Sequence, residues 1–284
     1  MQFSSKLKIR IATGLAVLLS KWRITTRYFR YVVFRILPGN KAYYHWRDIR
    51  IAVEVNSEWE FERLTSGARS FERYPLDQCL ENGLSSESSV YYELGACTAI
   101  GGLVMSQFLA KDRISVVIFE PNHENIRSIG SNILLHKHKN LLLMPFALSD
   151  EIKVTSLYLD NARPAPGQGG HSIIYDDLKG QYFVPAFTLD AAIEFLGLPP
   201  PTHISIDTEG AELSVLKGMT DVLSGRYSTV EVVVVELLGV SSPTSHLITD
   251  FMDQYSYEIK NYVSSPVGVV EHCIVTFGKK TREK

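Results

Sequence analysis

Val90-Tyr91-Tyr92-Glu93-Leu94-Gly95-Ala96-Cys97-Thr98-Ala99-Ile100-Gly101-Gly102 and, after an apolar segment, Ser115-Val116-Val117-Ile118-Phe119-Glu120-Pro121 form the stretch that decides the fold. It reads as a short buried strand, a turn of small residues, a helix of about three turns and a second buried strand closed by a carboxylate. Small residues in the turn let a ligand approach the backbone, and the helix N-terminus beyond it offers N–H groups that have no partner within the helix. Glu120 follows the turn by about 25 residues, where a doubly wound sheet presents an acid to ribose hydroxyls. The expectation is a nucleoside-containing ligand lying across the carboxyl ends of neighbouring parallel strands.

The turn also discriminates between ligands. A nicotinamide dinucleotide calls for Gly-x-Gly-x-x-Gly, with the pyrophosphate resting on the helix N-terminus. Cys97 and Ala99 stand where further glycines belong, and Glu93 would face that pyrophosphate unfavourably. The same acid suits a cofactor with a cationic amino-acid end, such as S-adenosylmethionine, because a carboxylate attracts an ammonium. A nicotinamide-dependent oxidoreductase is therefore the weaker reading.

A second signal is Thr202-His203-Ile204-Ser205-Ile206-Asp207-Thr208-Glu209-Gly210-Ala211-Glu212-Leu213. Here a strand ends in acids, and Gly210 turns the chain into a helix carrying Val215, Met219 and Val222. Acids at the carboxyl end of a parallel strand point into the ligand crevice. Capping of the helix accounts for one or two of Asp207, Glu209 and Glu212. At least one is left for a ligand, a metal or a proton.

Between and around these signals the chain reads as alternating elements. Residues 49–55 have strand alternation, Ser57-Glu58-Trp59-Glu60 has the form of a capping box, and a helix is expected over residues 75–82, ended by Gly83. Asn122 caps a helix, residues 141–145 form a third strand, and Ala147, Leu148 and Ser149 lie where such a sheet borders an adenine. Residues 154–159 read as a strand. The Gly- and Pro-rich residues 161–170, with His171 after them, form the candidate acceptor-binding flap. Residues 230–236 read as a buried central strand, Ser242-Pro243 opens a helix, and strands over 257–261 and 269–277 close the fold.

Composition sets outer bounds. The chain has 284 residues, 45% hydrophobic and 21% charged, which are globular values with room for one catalytic domain of about 200 residues and an extension. Residues 1–50 hold 11 of the 29 Lys and Arg but only one acid, Asp48; the remainder holds 18 bases against 30 acids. So acidic a body argues against nucleic acid as a partner. Cys79, Cys97 and Cys273 are scattered, which is neither a disulfide framework nor a metal site, and a reducing, cytoplasmic compartment is expected. Cys97 reads most simply as a small apolar residue. Residues 11–19 are apolar but too short to span a bilayer, and Lys21-Trp22-Arg23 follows where a signal peptide would be cleaved. If residues 24–37 are helical, Arg23, Arg27 and Arg30 share one face and Phe29, Val32 and Ile36 the other. Peripheral contact with an anionic membrane through residues 6–37 fits that pattern, as does packing on the chain's own domain or on a partner subunit.

Taken together, the blocks resemble the FkbM family of S-adenosylmethionine-dependent methyltransferases. The resemblance rests on Glu93-Leu94-Gly95-Ala96-Cys97, Phe119-Glu120-Pro121, Ala147-Leu148-Ser149, Thr188-Leu189-Asp190 and Ser205-Ile206-Asp207-Thr208-Glu209-Gly210-Ala211-Glu212, followed by Val215-Leu216-Lys217-Gly218. Cys97, Ala99 and Ser205 depart from the family's usual Asn, Gly and Lys. The resemblance implies an α/β class I methyltransferase (Rossmann-like) fold: a seven-stranded sheet, parallel except for its last strand, between helices. The division expected is a basic amphipathic N-terminal extension over residues 1–47 and a methyltransferase domain over 48–284. The implied reaction is O-methylation of a hydroxyl on a sugar, glycan or natural product. Glu93, Gly95, Ala96, Cys97, Glu120, Pro121, Ala147, Leu148 and Asp207 are the expected cofactor residues. Asp207 or Glu209 is the expected base, with His171 as second candidate. No metal site is assigned, although hard oxygen ligands on Asp207 and Glu209 would suit Mg²⁺. The altered turn also admits a non-catalytic, membrane-associated protein with a methyltransferase fold.

Overall fold

The strands on either side of Gly95 become the middle of a sheet. The computed structural model describes residues 41–65, 69–159, 165–167, 169–174, 180–238, 242–265 and 272–280. The proposed amphipathic arm over residues 6–37, the tip of the flap and the turn around residues 266–268 lie outside the described residues. The described chain opens with a hairpin, β1 (Lys41–Trp46) and β2 (Ile49–Glu54), then α1 (Glu58–Thr65) and α2 (Arg69–Glu81). Next come β3 (Tyr91–Leu94), α3 (Ile100–Phe108), β4 (Val116–Phe119), α4 (His123–His136) and β5 (Leu141–Met144). A small insertion, β6 (Ala147–Leu148), β7 (Lys153–Leu159) and β8 (Gly180–Phe187), leads to α5 (Leu189–Leu196) and β9 (His203–Ile206). The chain ends with α6 (Glu212–Lys217), α7 (Thr220–Ser224), β10 (Val232–Leu238), α8 (Pro243–Gln254), β11 (Tyr257–Ser265) and β12 (His272–Lys279).

Seven strands form the main sheet in the order β11-β12-β10-β9-β3-β4-β5. The pairs β10–β9, β9–β3, β3–β4 and β4–β5 are parallel, and β12 runs antiparallel to both of its neighbours. This is the α/β class I methyltransferase architecture. Strands buried on both faces read as unbroken apolar runs, and every residue of β4 is buried. One face carries the hairpin with α1, α2 and α3 over Tyr91, Val116, Ile118 and Val234. The other carries α5, α6, α7 and α8 over Tyr92, Val117, Ile204 and Val233.

Several boundaries need correction. The division expected after residue 47 falls in the turn of the β1–β2 hairpin, and Ala42 and Tyr44 are fully buried. Lys41–Trp46 therefore belongs with the folded body. The second helix begins before Pro75, at Arg69, and carries that proline inside it. The inserted sheet, ordered β6-β8-β7, contains a strand that the sequence hid. Pro185 lies within β8, and a proline argues against a central strand. It fits because β6 pairs only with Ala186 and Phe187, so β8 has no second neighbour at Pro185.

Candidate active site

The strand order reverses between β3 and β9, and the crevice at such a switch point opens at the strands' carboxyl ends. Two carboxylates arrive there from different strands, Glu120 after β4 and Asp207 after β9, and Glu236 near the end of β10 is close enough to act on Asp207 through its charge. At the centre, Gly95 and Ala96 donate their N–H groups to Phe119 O at 3.0 and 3.1 Å, and Asp207 N donates to Leu94 O at 2.9 Å. Gly95 has φ +85°, and a Cβ there would lie 1.8 Å from the carbonyl oxygen of Asp207. The glycine is thus required by the backbone of the neighbouring strand, not only by a ligand.

Glu93 and Ala96, expected as cofactor contacts, lie at the glycine turn and are not among the residues that line the cleft. Glu93 Oε2 accepts the Gly102 N–H at 2.8 Å. Ala99, the residue capping α3, offers no side-chain cap, and the carboxylate of Glu93 takes that place favourably against the helix dipole. A Cβ on Gly101 or Gly102 would lie 2.5 or 2.9 Å from its oxygens, so both glycines make room for it. Ala96 is buried beside this turn.

The cleft is open to solvent and encloses about 660 Å³ of space, open solvent included. Gly95, Cys97, Glu120, Pro121, Ala147, Leu148, His171, Asp207 and Glu209 all line it. Glu120 is buried and receives the N–H of Cys97 on Oε2 at 2.7 Å and that of Asn122 on Oε1 at 2.8 Å. Burial raises its pKa above the usual carboxylate value, against the pull of those hydrogen bonds and of Arg63. Burial also pushes the Cys97 thiol up to about 12, so the group is a neutral thiol and not a nucleophilic thiolate. Ala147 and Leu148 join Phe119 and Phe146 in the apolar wall. Ser149 turns away, with its hydroxyl donating to Asp150 Oδ1 at 2.9 Å.

At the opposite wall stand Asp207 and Glu209. Asp207 has a pKa well above the carboxylate range, chiefly through burial and then through the negative charges of Glu236 and Glu209, with Arg63 opposing. Glu209, whose backbone has φ 51°, receives Gly170 N–H on Oε1 at 3.0 Å and Ser172 Oγ on its carbonyl at 2.8 Å. Glu212 is structural: its Oε1 receives the N–H groups of Thr208 and Gly210, both at 3.0 Å. Among the described residues, no group of three or more His, Cys, Asp or Glu side chains is placed to hold a metal ion.

Sequence reasoning missed two charged residues here. Arg63 on α1 lines the cleft; a lone cation in a short capped helix carries no periodic signature. Its Nε donates to Gly167 O at 3.0 Å, and Gly167 N in turn donates to Asn125 Oδ1 at 2.8 Å. Ser57 Oγ donates to Pro166 O. The described part of the flap is thereby fastened to α1, α4 and the Asp207–Glu212 turn. Glu236 follows Val235, which pairs with Ile206 one residue before Asp207. An acid closing a β-branched run was a signal, the same one that marked Glu120 after β4.

Comparison with known proteins places this geometry. The model of the methyltransferase FkbM domain matches residues 93–259. Among solved structures, the FkbM methyltransferase of Methylobacillus flagellatus is 14% identical with a TM-score of 0.46, covering 77% of this chain and 55% of that one. The precorrin-6y C5,15-methyltransferase of Geobacter metallireducens is 13% identical with a TM-score of 0.44, covering 72% and 87%. TYW2 of M. jannaschii, solved in complex with AdoMet, is 9% identical with a TM-score of 0.43, covering 86% and 88%. No curated protein matches the chain. The family match spans more than half of the sequence and includes every strand that brings an acid to the cleft: the chain belongs to the methyltransferase FkbM domain family.

Proposed function

We propose that the protein transfers a methyl group from S-adenosylmethionine to a hydroxyl oxygen of a sugar, glycan or other natural product. The observation that carries this reading is the shared cleft of Glu120 and Asp207, beside a helix N-terminus already occupied by Glu93. A pyrophosphate would have to displace that carboxylate, which counts against a nicotinamide cofactor. The residues present fit the methyl donor. Phe119, Phe146 and Leu148 offer apolar surface to an adenine ring, and Glu120 is the acid for ribose hydroxyls. The acids of the cleft complement a cationic ligand, and Arg63 is the group on its wall suited to a carboxylate.

The bound donor supplies a methyl group already activated on a sulfonium. What remains for the protein is positioning and one proton. Asp207 takes the proton of the acceptor hydroxyl; burial and two neighbouring acids make it a stronger base than a solvated aspartate. Glu209 orients the acceptor and holds the flap, and His171 on that flap is the second candidate base. Glu120, Asp207 and Glu209 outnumber Arg63 along the wall, so the field favours a neutral hydroxyl compound over one bearing phosphates.

Two substitutions test the reading. Asp207→Asn is expected to retain S-adenosylmethionine binding by calorimetry and to lower S-adenosylhomocysteine release with hydroxylated acceptors by about 10²–10⁴-fold. Undiminished release would remove Asp207 as the base. Glu120→Ala is expected to weaken cofactor binding by about tenfold or more while the fold persists. An unchanged affinity would remove the ribose contact.

A further inference from the structure

Ile152, Val154, Phe183 and Pro185 lie on the outward side of the small inserted sheet. Strand alternation sends Leu157, Leu159, Val184 and Ala186 inward, where all are buried. The opposite side is left bare: Val154 is 72% exposed, Phe183 73% and Ile152 53%. Val154 pairs with Pro185 and Ser156 with Phe183, so these side chains are near neighbours on one face. Contiguous exposed apolar groups of this kind mark a surface that something covers. The opposite, inner side of the same strand faces the cleft, where Leu157 is one of the lining residues.

The second observation is where the preceding chain joins the body. Lys41 pairs with Glu54, three residues before Ser57, whose hydroxyl bonds to Pro166 of the flap. The described chain therefore begins, at Lys41, beside the flap. Residues 1–40 carry eight Lys and Arg and no acid. We propose that the outer face of the small sheet docks on an anionic lipid surface, with its apolar side chains entering the interface and residues 1–40 supplying the positive charge. Either signal alone gives weak, reversible attachment; the two together give a stable one. Charge complementarity favours lipid over a second copy of the chain, since two basic arms at one rim repel each other while anionic headgroups attract both. The inference goes beyond methyl transfer and does not depend on it.

The test is co-sedimentation of the full-length protein with vesicles of phosphatidylcholine and phosphatidylserine, and with phosphatidylcholine alone. Binding is expected only to the mixed vesicles. Val154→Ser with Phe183→Ser is expected to weaken it by about tenfold, with the circular dichroism spectrum and S-adenosylmethionine affinity unchanged. Equal binding by the double variant overturns the proposal, because the basic arm would then suffice. So does a dimer in analytical ultracentrifugation that the double variant dissolves, since the face would then join two copies. Phe183→Trp reads the contact directly. Its emission is expected to move to shorter wavelength and to be quenched by brominated lipid, and unchanged emission from vesicle-bound protein would also overturn the docking.

Discussion

At residue 97 the backbone has φ 49°, and at residue 99 it has φ 52°. The family's usual residues at these positions, Asn and Gly, are those that enter the left-handed region most easily. Cys97 and Ala99 hold the same turn at some strain, so Cys97→Asn is expected to stabilise the protein by about 1 kcal/mol. A thermal melt checks this, and an unchanged or lower midpoint would show the strain to be absent. Gly95→Ala is expected to cost about 3 kcal/mol or more, because the added methyl meets backbone that cannot swing aside. Legibility at this scale followed main-chain position. Glu120 and Asp207 were readable because a strand's last residue has one place to go. The bond from Gly102 N–H to Glu93 was not legible, because the sequence does not say which way an acid inside a strand points. Ser205, where the family usually has Lys, has Glu93 as its register partner, and the buried Tyr91 hydroxyl shares a hydrogen bond with it. Glu236 bears on the chemistry through its charge. Glu236→Gln should relieve the repulsion that raises the pKa of Asp207, moving the acidic limb of the kcat–pH profile to lower pH. A limb that stays in place would leave Glu236 without influence on the base.

Among the elements, carboxylates repeatedly stand in for missing caps. The residue before α3 is Ala99 and the one before α7 is Met219, and neither makes a side-chain cap. Glu93 serves α3. Asp190, on α5, serves α7, accepting the N–H groups of Asp221 at 2.9 Å and Val222 at 3.0 Å. The Thr-Leu-Asp block therefore clasps two helices and lies outside the cleft. Asp190→Ala is expected to lower stability by about 2 kcal/mol in a denaturant titration without altering affinity for S-adenosylmethionine; a binding defect with normal stability would contradict this assignment. Elements whose own residues announce them were legible: α4 behind Asn122, α8 behind Ser242 and β4 as an apolar run. Those defined by a distant partner were not. β1 exists because β2 pairs with it across the turn at Arg47 and Asp48, and its Lys41-Ala42-Tyr43-Tyr44 looked like the end of a basic arm. β8 exists because β7 pairs along its whole length, which outweighs its internal proline.

Over the whole molecule, the make-up of the sheet, seven strands parallel except for the last, was legible through the family resemblance, while the strand order came from the structure. The charge economy of the interior was not legible, since burial depends on what packs above. Glu60, Glu120, Asp207 and Glu212 all have pKa values raised by burial. For such groups the folded state holds its proton more tightly than the unfolded one. Their contribution to stability is complete below the unfolded carboxylate pKa and is lost as pH rises through the folded value. His138 and His203 act oppositely: burial lowers both to about 4, so their contribution is complete above the unfolded histidine value and fades as pH falls toward the folded one. The two sets overlap in mildly acidic solution, and a melt of the native protein alone would mix them. The difference between Asp207→Asn and the native chain separates them, because the histidines are common to both. At neutral pH the variant lacks a buried charge facing Glu209 and Glu236, and is expected to melt higher, by about 2–4 °C for each kcal/mol of repulsion removed. That advantage should shrink steadily as pH is lowered and Asp207 in the native chain becomes protonated. A gap independent of pH would mean that Asp207 carries no such load, and the basicity assigned to it in the reaction would lose its physical ground.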